Sequence, residues 1–145
     1  MRTAFFDTQD RLQALLRTVV PSAIPVGLAP AMPDEEHVWI GGETPNPIDR
    51  AYVQSGVVAA DETFDVLVHI LTQASDPEYA VARAKLKALL DPICDAISAK
   101  PTLDGALMLC VVATIQIEAA LADERTWQAM ATLAVRCTAH VTKDG

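Results

Sequence analysis

Three cysteines (Cys94, Cys110, Cys137) and three histidines (His37, His69, His140) are the side chains of this chain best suited to nucleophilic or metal chemistry. Cys94 with His69 would make a thiol–imidazole pair. Cys94, however, sits on a helical stretch beside its apolar stripe and reads as a small buried hydrophobe, with His69 as an edge-strand histidine. Neither CxxC nor HxxxH spacing occurs among the six, so no metal site is expected. No GxGxxG or Walker sequence provides a phosphate cradle, and Gly41-Gly42 reads as a turn. The run Asp34-Glu35-Glu36 lacks the alternating ligand positions of a calcium loop and reads as a solvated loop tip. Spacing alone sorts none of the 19 acidic residues into acid–base pairs. The expectation is a protein with no catalytic residues and no cofactor, not an enzyme.

The bulky residues of a proline-rich stretch remain: Trp39, Tyr52 and Val53. Such groups either anchor a partner's pocket or fold back onto a sheet edge.

The elements that carry these residues follow from periodicity. Residues 3–19 place Phe5, Leu12, Leu15, Leu16 and Val19 on one helical side, with Thr3 as N-cap and Pro21 as the stop. Residues 23–28 allow a short strand that Pro25 restricts to an edge. From 30 to 56 the chain is punctuated by Pro30, Pro33, Pro45 and Pro47, and only 37–40 (HVWI) reads as a strand, with a Pro/Gly-rich loop expected at about 41–56. Residues 63–72 (TFDVLVHILT) alternate as a strand with Phe64, Val66, Val68 and Ile70 on one face. Asp76-Pro77 signals the start of a long helix, which Pro92 should kink or split. Two long strands follow, at about 106–118 and 126–141. The first is apolar on both faces up to Val112, then polar at Thr114, Gln116 and Glu118. A continuous apolar run means both faces are covered. Helices cover one face, and a neighbouring subunit is the economical cover for the other. The fold class expected is α+β: a small, mostly antiparallel sheet with two main helices on one face, in a single domain spanning 1–145.

Bulk properties agree. A domain of 145 residues buries about 70% of its unfolded surface, and 51% hydrophobic residues supply a core. A net charge of −8 argues against ordinary duplex binding but suits a conduit that lets DNA pass without sticking. An odd number of cysteines among apolar neighbours reads as free thiols in a reducing compartment. No signal peptide is apparent, and the longest apolar run, 106–113, is far shorter than the roughly 20 residues a membrane span takes. A non-exported chain away from membranes is expected.

The phrases ETFDVLVHILTQASDPEYAVARAKLKALLDPICDAI and PTLDGAL, followed by two long strands, resemble the tail terminator proteins of long-tailed bacteriophages, especially those of actinobacterial hosts. The resemblance spans about residues 3–141 and includes the HVWIG phrase. It rests on order, spacing and turn phrases, since the family has no fixed functional residues. It implies a homo-oligomeric ring, typically six-membered, that caps the tail tube and ends its polymerisation. The implied partners are the tail tube protein and the head–tail connector, with DNA passing through the lumen. The implied location is the neck of the virion tail, after assembly in the host cytoplasm. Under that reading the 46–54 loop should contact an adjacent subunit or tube ring, with Trp39, Asp49, Arg50, Tyr52 and Gln54 as interface residues. Asp49 and Arg50 are the expected inter-subunit ion partners. Two alternatives stand beside it: another neck or tail-tube protein, which would stack into tubes, and a small ligand-binding or enzymatic α+β domain.

Overall fold

The computed structural model describes residues 2–29, 36–41, 47–52, 59–75 and 78–142. Two helices and six strands follow in the order α1 (Phe5–Val19), β1 (Val26–Gly27), β2 (His37–Ile40), β3 (Ile48–Tyr52), β4 (Ala59–Ala74), α2 (Ala80–Ser98), β5 (Leu109–Leu121) and β6 (Trp127–Thr142). The sheet order is β1-β2-β4-β6-β5, with β3 also paired to β4. Every pairing is antiparallel except β1 with β2. The fold is the α+β arrangement expected.

The spine is the β4–β6 pair, in unbroken register from Ala59↔Thr142 to Ala74↔Trp127. Strict alternation drives it, because period 2 sends every second side chain to one face. Phe64, Val66, Val68 and Ile70 of β4 meet Val135, Leu133 and Ala131 of β6 on the buried face. Both helices cover this face: α2 packs on β4, β5 and β6, and α1 packs on α2, β1, β2 and β4. In α1 the spacing of Phe5, Thr8, Leu12 and Leu16 supplies the buried stripe, with Leu15 and Val19 at its margin. In α2 the stripe is Ala82, Leu86, Leu89, Leu90, Ile93 and Ile97.

Local details differ from the sequence reading. Thr3 does not cap α1 from the N-cap position, which Ala4 occupies; its Oγ1 accepts the Phe5 N–H (3.2 Å) and donates to Glu62 (3.0 Å). Asp76-Pro77 lies outside the described residues. Pro92 does not split α2, which runs through it because the proline is on the exposed side while Leu89, Leu90 and Ile93 stay packed. The 41–56 segment, expected as loop, contains β3, held by pairing with residues 60–64 of β4. His69 is on a central strand, since β2 and β3 share one flank of β4 while β6 takes the other.

After α2, the PTLDG turn places Leu103, Asp104 and Gly105 in succession at positive φ (47°, 59°, 88°). Leu103 adopts this disfavoured conformation because its side chain is buried in the core. Thr102 Oγ1 accepts the Gly105 N–H (3.1 Å), and Lys100 pairs with Asp104 (3.0 Å). No helix among the described residues is long and apolar enough to cross a membrane.

Candidate functional site

Among the described residues β5 forms one edge of the sheet, bonded to β6 on one side only. Its odd positions read Leu109, Val111, Ala113, Ile115, Ile117, Ala119 and Leu121, an unbroken apolar series. Cys110 pairs with Cys137 and Val112 with Val135, so these even residues face the helices. Then the register shifts between Val112 and Thr114. Beyond this bulge Ile115 pairs with Leu133 and Ile117 with Ala131, so the odd residues now face the helix side. One extra residue thus carries the apolar series from one face of the sheet to the other.

The result is two exposed apolar patches on one strand. Leu109 and Val111 lie on the face away from the helices, with Met108 exposed just before the strand. Ile115, Ile117 and Leu121 lie on the helix side, where the β5–β6 hairpin reaches past the cover of α2. Ile117 is 59% exposed and Leu109 48%. A long apolar edge with unpaired backbone groups is a template for strand addition, and soluble proteins ordinarily blunt such edges. Here charge is sparse: Glu118 is the one charged side chain between Leu109 and Leu121. The apolar excess of this strand, legible in the sequence, is therefore not consumed by the described part of the fold.

Between α2 and Ile117 runs a groove of about 260 Å³. Tyr79, Leu86 and Leu90 line it with Ile117, and Arg83, Lys87 and Asp91 form its polar margin. Lys87 is paired with Asp91 one turn away.

The expected interface residues divide between two places. Trp39 is on β2, facing away from the helices, stacked between His37 (4.4 Å between ring centroids) and His69 (4.8 Å). Burial lowers the His69 imidazole below its ordinary pKa of 6.5, and its Nδ1 lies 3.1 Å from Thr132 Oγ1. Asp49, Arg50 and Tyr52 are on β3, opposite Thr63, Glu62 and Ala60. Trp39 sits opposite His69, six residues further along β4, a separation of about 20 Å. Asp49 is exposed, and it faces the opposite side of the sheet from its neighbour Arg50. Arg50 already has an ion partner in its own chain: its Nε donates to Glu62 Oε2 at 2.7 Å. Glu62 is fully buried, and its other oxygen accepts the Ala4 N–H (2.8 Å) and the Thr3 hydroxyl (3.0 Å). This carboxylate ties β3, β4 and the start of α1 together. Tyr52 is exposed, and Gln54, like Val53, lies outside the described residues.

The sites of possible chemistry are dispersed. Cys94 on α2 and His69 lie on opposite sides of the sheet. His140 lies beside Asp61 (2.8 Å), and Glu36 pairs with Lys85 (2.9 Å). Cys110 and Cys137 are buried with their sulfurs 4.0 Å apart; the neighbouring thiol and burial push Cys137 up, so it stays protonated. Among the described residues, no group of three or more His, Cys, Asp or Glu could hold a metal ion. A polar cleft of about 470 Å³ at one end of the sheet is lined by Gln73, Lys85, Asp123 and Gln128. Its lysine is engaged by Glu36 and by the Gln73 carbonyl, and its aspartate accepts the Arg125 N–H.

No protein-family model matches the chain, and no curated protein matches it. Among solved structures, it is similar to a chain described as "Virion of native gene transfer agent (GTA) particle". The identity is 18% over 93% of this chain and 91% of that chain, with a TM-score of 0.46.

Proposed function

We propose that this chain is a structural protein of a phage-like virion, a subunit that closes into a ring on the end of the tail tube. The ring ends tube growth and offers the head connector a surface to join. The observation that carries this reading is the edge strand β5, which exposes apolar side chains on one face of the sheet before its bulge and on the other face after it. Ring closure by identical subunits requires heterologous contacts, in which one flank of a subunit fits a different flank of the next. An apolar edge at one flank supplies half of such a contact. The resemblance of the ETFDVLVHILT and PTLDGAL phrases to tail terminators points to the same role, and a charge of −8 suits a lumen that DNA crosses without binding.

Native mass spectrometry over a concentration series, with negative-stain images of the same samples, tests the proposal. Discrete rings near six copies, with no longer tubes, are the expected result. Stacked tubes would transfer the protein to the tube-subunit role. A monomer at every concentration would overturn self-assembly and call for a ligand screen.

A further inference from the structure

A closed ring needs two unlike surfaces on opposite flanks of one subunit. The α2–β5 groove lies at the β5 end of the sheet, with an apolar floor of Ile117, Leu86, Leu90 and Tyr79. Arg83 stands at its margin. Lys87 there is neutralised by Asp91, whereas the Arg83 side chain has no ion pair among the described residues. The groove is therefore apolar with one net positive charge.

The opposite end of the sheet is covered by α1, which packs on β1 and β2. Its outer side carries Phe6, the most exposed large hydrophobic of the described residues at 66%. Asp10 follows four residues later and shares that side of the helix. Asp7 is occupied by Arg11 (2.8 Å), but Asp10 has no ion partner among the described residues. An aromatic ring with a carboxylate one turn away is the complement of an apolar groove with an arginine at its margin. Size agrees as well. A cavity of about 150 Å³ suffices for benzene, and the groove measures about 260 Å³.

We infer that Phe6 of one copy enters the α2–β5 groove of the next copy, with Asp10 against Arg83. The inference rests on the ring-forming role proposed above and assigns that ring its repeating contact. The aromatic ring is the anchor, desolvated against Ile117 and Tyr79, and the ion pair sets orientation. Because donor and acceptor surfaces sit on opposite flanks, the contact is head-to-tail.

The test compares the wild type with Phe6→Ala, Asp10→Arg, Arg83→Asp and the charge-exchanged double variant Asp10→Arg/Arg83→Asp. Native mass spectrometry gives the concentration of half-assembly, and circular dichroism verifies that each variant is folded. Each single substitution should raise that concentration about tenfold or more, and the double variant should recover most of the loss. A second arm mixes Phe6→Cys protein with Arg83→Cys protein under copper–phenanthroline. A disulfide-linked dimer containing one copy of each is expected. If the single variants assemble like the wild type, or the double recovers nothing, this contact is wrong while the ring stands. Phe6→Cys protein cross-linking only to itself would also overturn it, in favour of a two-fold contact. Wild-type protein that stays monomeric throughout would overturn both the contact and the ring.

Discussion

Replacing Glu62 with glutamine tests whether this buried carboxylate holds three elements together. The substitution keeps shape and volume and changes only charge and one hydrogen-bonding group. In the native chain one oxygen accepts two bonds, from the Ala4 N–H and the Thr3 hydroxyl, and the other accepts Arg50 Nε. The glutamine carbonyl can still serve Ala4 and Thr3. Its NH₂ group would then face the Arg50 donor, so a charge-assisted bond becomes a donor–donor contact at a fully buried position. Hydrogen bonds to charged groups contribute about 1.5–3 kcal/mol, and leaving a buried group unsatisfied raises the cost toward the upper end. A loss of about 2–3 kcal/mol follows, equivalent to a fall of about 6–12 °C in Tm for a chain of this size. Thermal unfolding should be followed by circular dichroism at a dilution where the protein is monomeric, because assembly would itself stabilise the fold. The double variant Glu62→Met/Arg50→Met should recover only part of the loss, since the Ala4 N–H, which glutamine still serves, would then lose its acceptor. A Tm change under about 3 °C for Glu62→Gln would refute the role given to this carboxylate.

Other outcomes follow from the same geometry. Pro92 is exposed inside α2, so Pro92→Ala should raise stability by about 1–3 kcal/mol, less a few tenths for the freer unfolded chain, read as a higher Tm. Burial holds the His69 pKa below 6.5, so the unfolded chain takes up this proton first as pH falls. The contribution is fully present above about pH 6.5 and declines below it, and His69→Gln should flatten that part of a denaturant-midpoint-versus-pH curve. Cys94 is half-buried and its thiol is pushed up by burial and by Asp91 and Asp95, whereas Cys110 and Cys137 are buried. Iodoacetamide followed by peptide mass spectrometry should label Cys94 slowly and leave the other two unmodified until denaturant is added. Ile117→Glu should abolish assembly while leaving the Tm of the monomer within about 2 °C, because the side chain is largely exposed.

What the sequence disclosed was whatever period alone decides. The alternation of TFDVLVHILT assigns Phe64, Val66, Val68 and Ile70 to the core, and the odd residues of β6 follow the same rule. The helical spacing of Leu86, Leu89, Leu90, Ile93 and Ile97 marks the buried stripe of α2 in the same way. β3 was hidden because Ile48-Asp49-Arg50-Ala51-Tyr52 has no alternation of its own. It is a strand by virtue of its partner β4, with Arg50 held by Glu62, twelve residues away. The proposed interface residues suffered for this. A loop reading leaves Arg50 free for a neighbour, whereas strand pairing commits it internally. The excess of apolar residues in β5 was visible, but not the side each one faces, since the odd series continues through Ala113 with no local mark of a bulge. The α2–β5 groove could not be read either, because it arises where a thirteen-residue strand outruns a helix.

The bulge in β5 also determines where this gene can lose a codon. Ala113 is the residue without a partner on β6, with Val112 opposite Val135 and Thr114 opposite Ala134. Its deletion would join Val112 directly to Thr114 in a regular ladder. Cys110 and Val112 would still point inward, and Ile115 and Ile117 would keep their side, so only local twist would be lost. Deleting Gln116 instead would turn every residue on one side of the break over, placing Glu118 where Ile117 had been. Single-residue gaps in an alignment of divergent homologues should accordingly collect at Ala113 and be absent from the remainder of the strand.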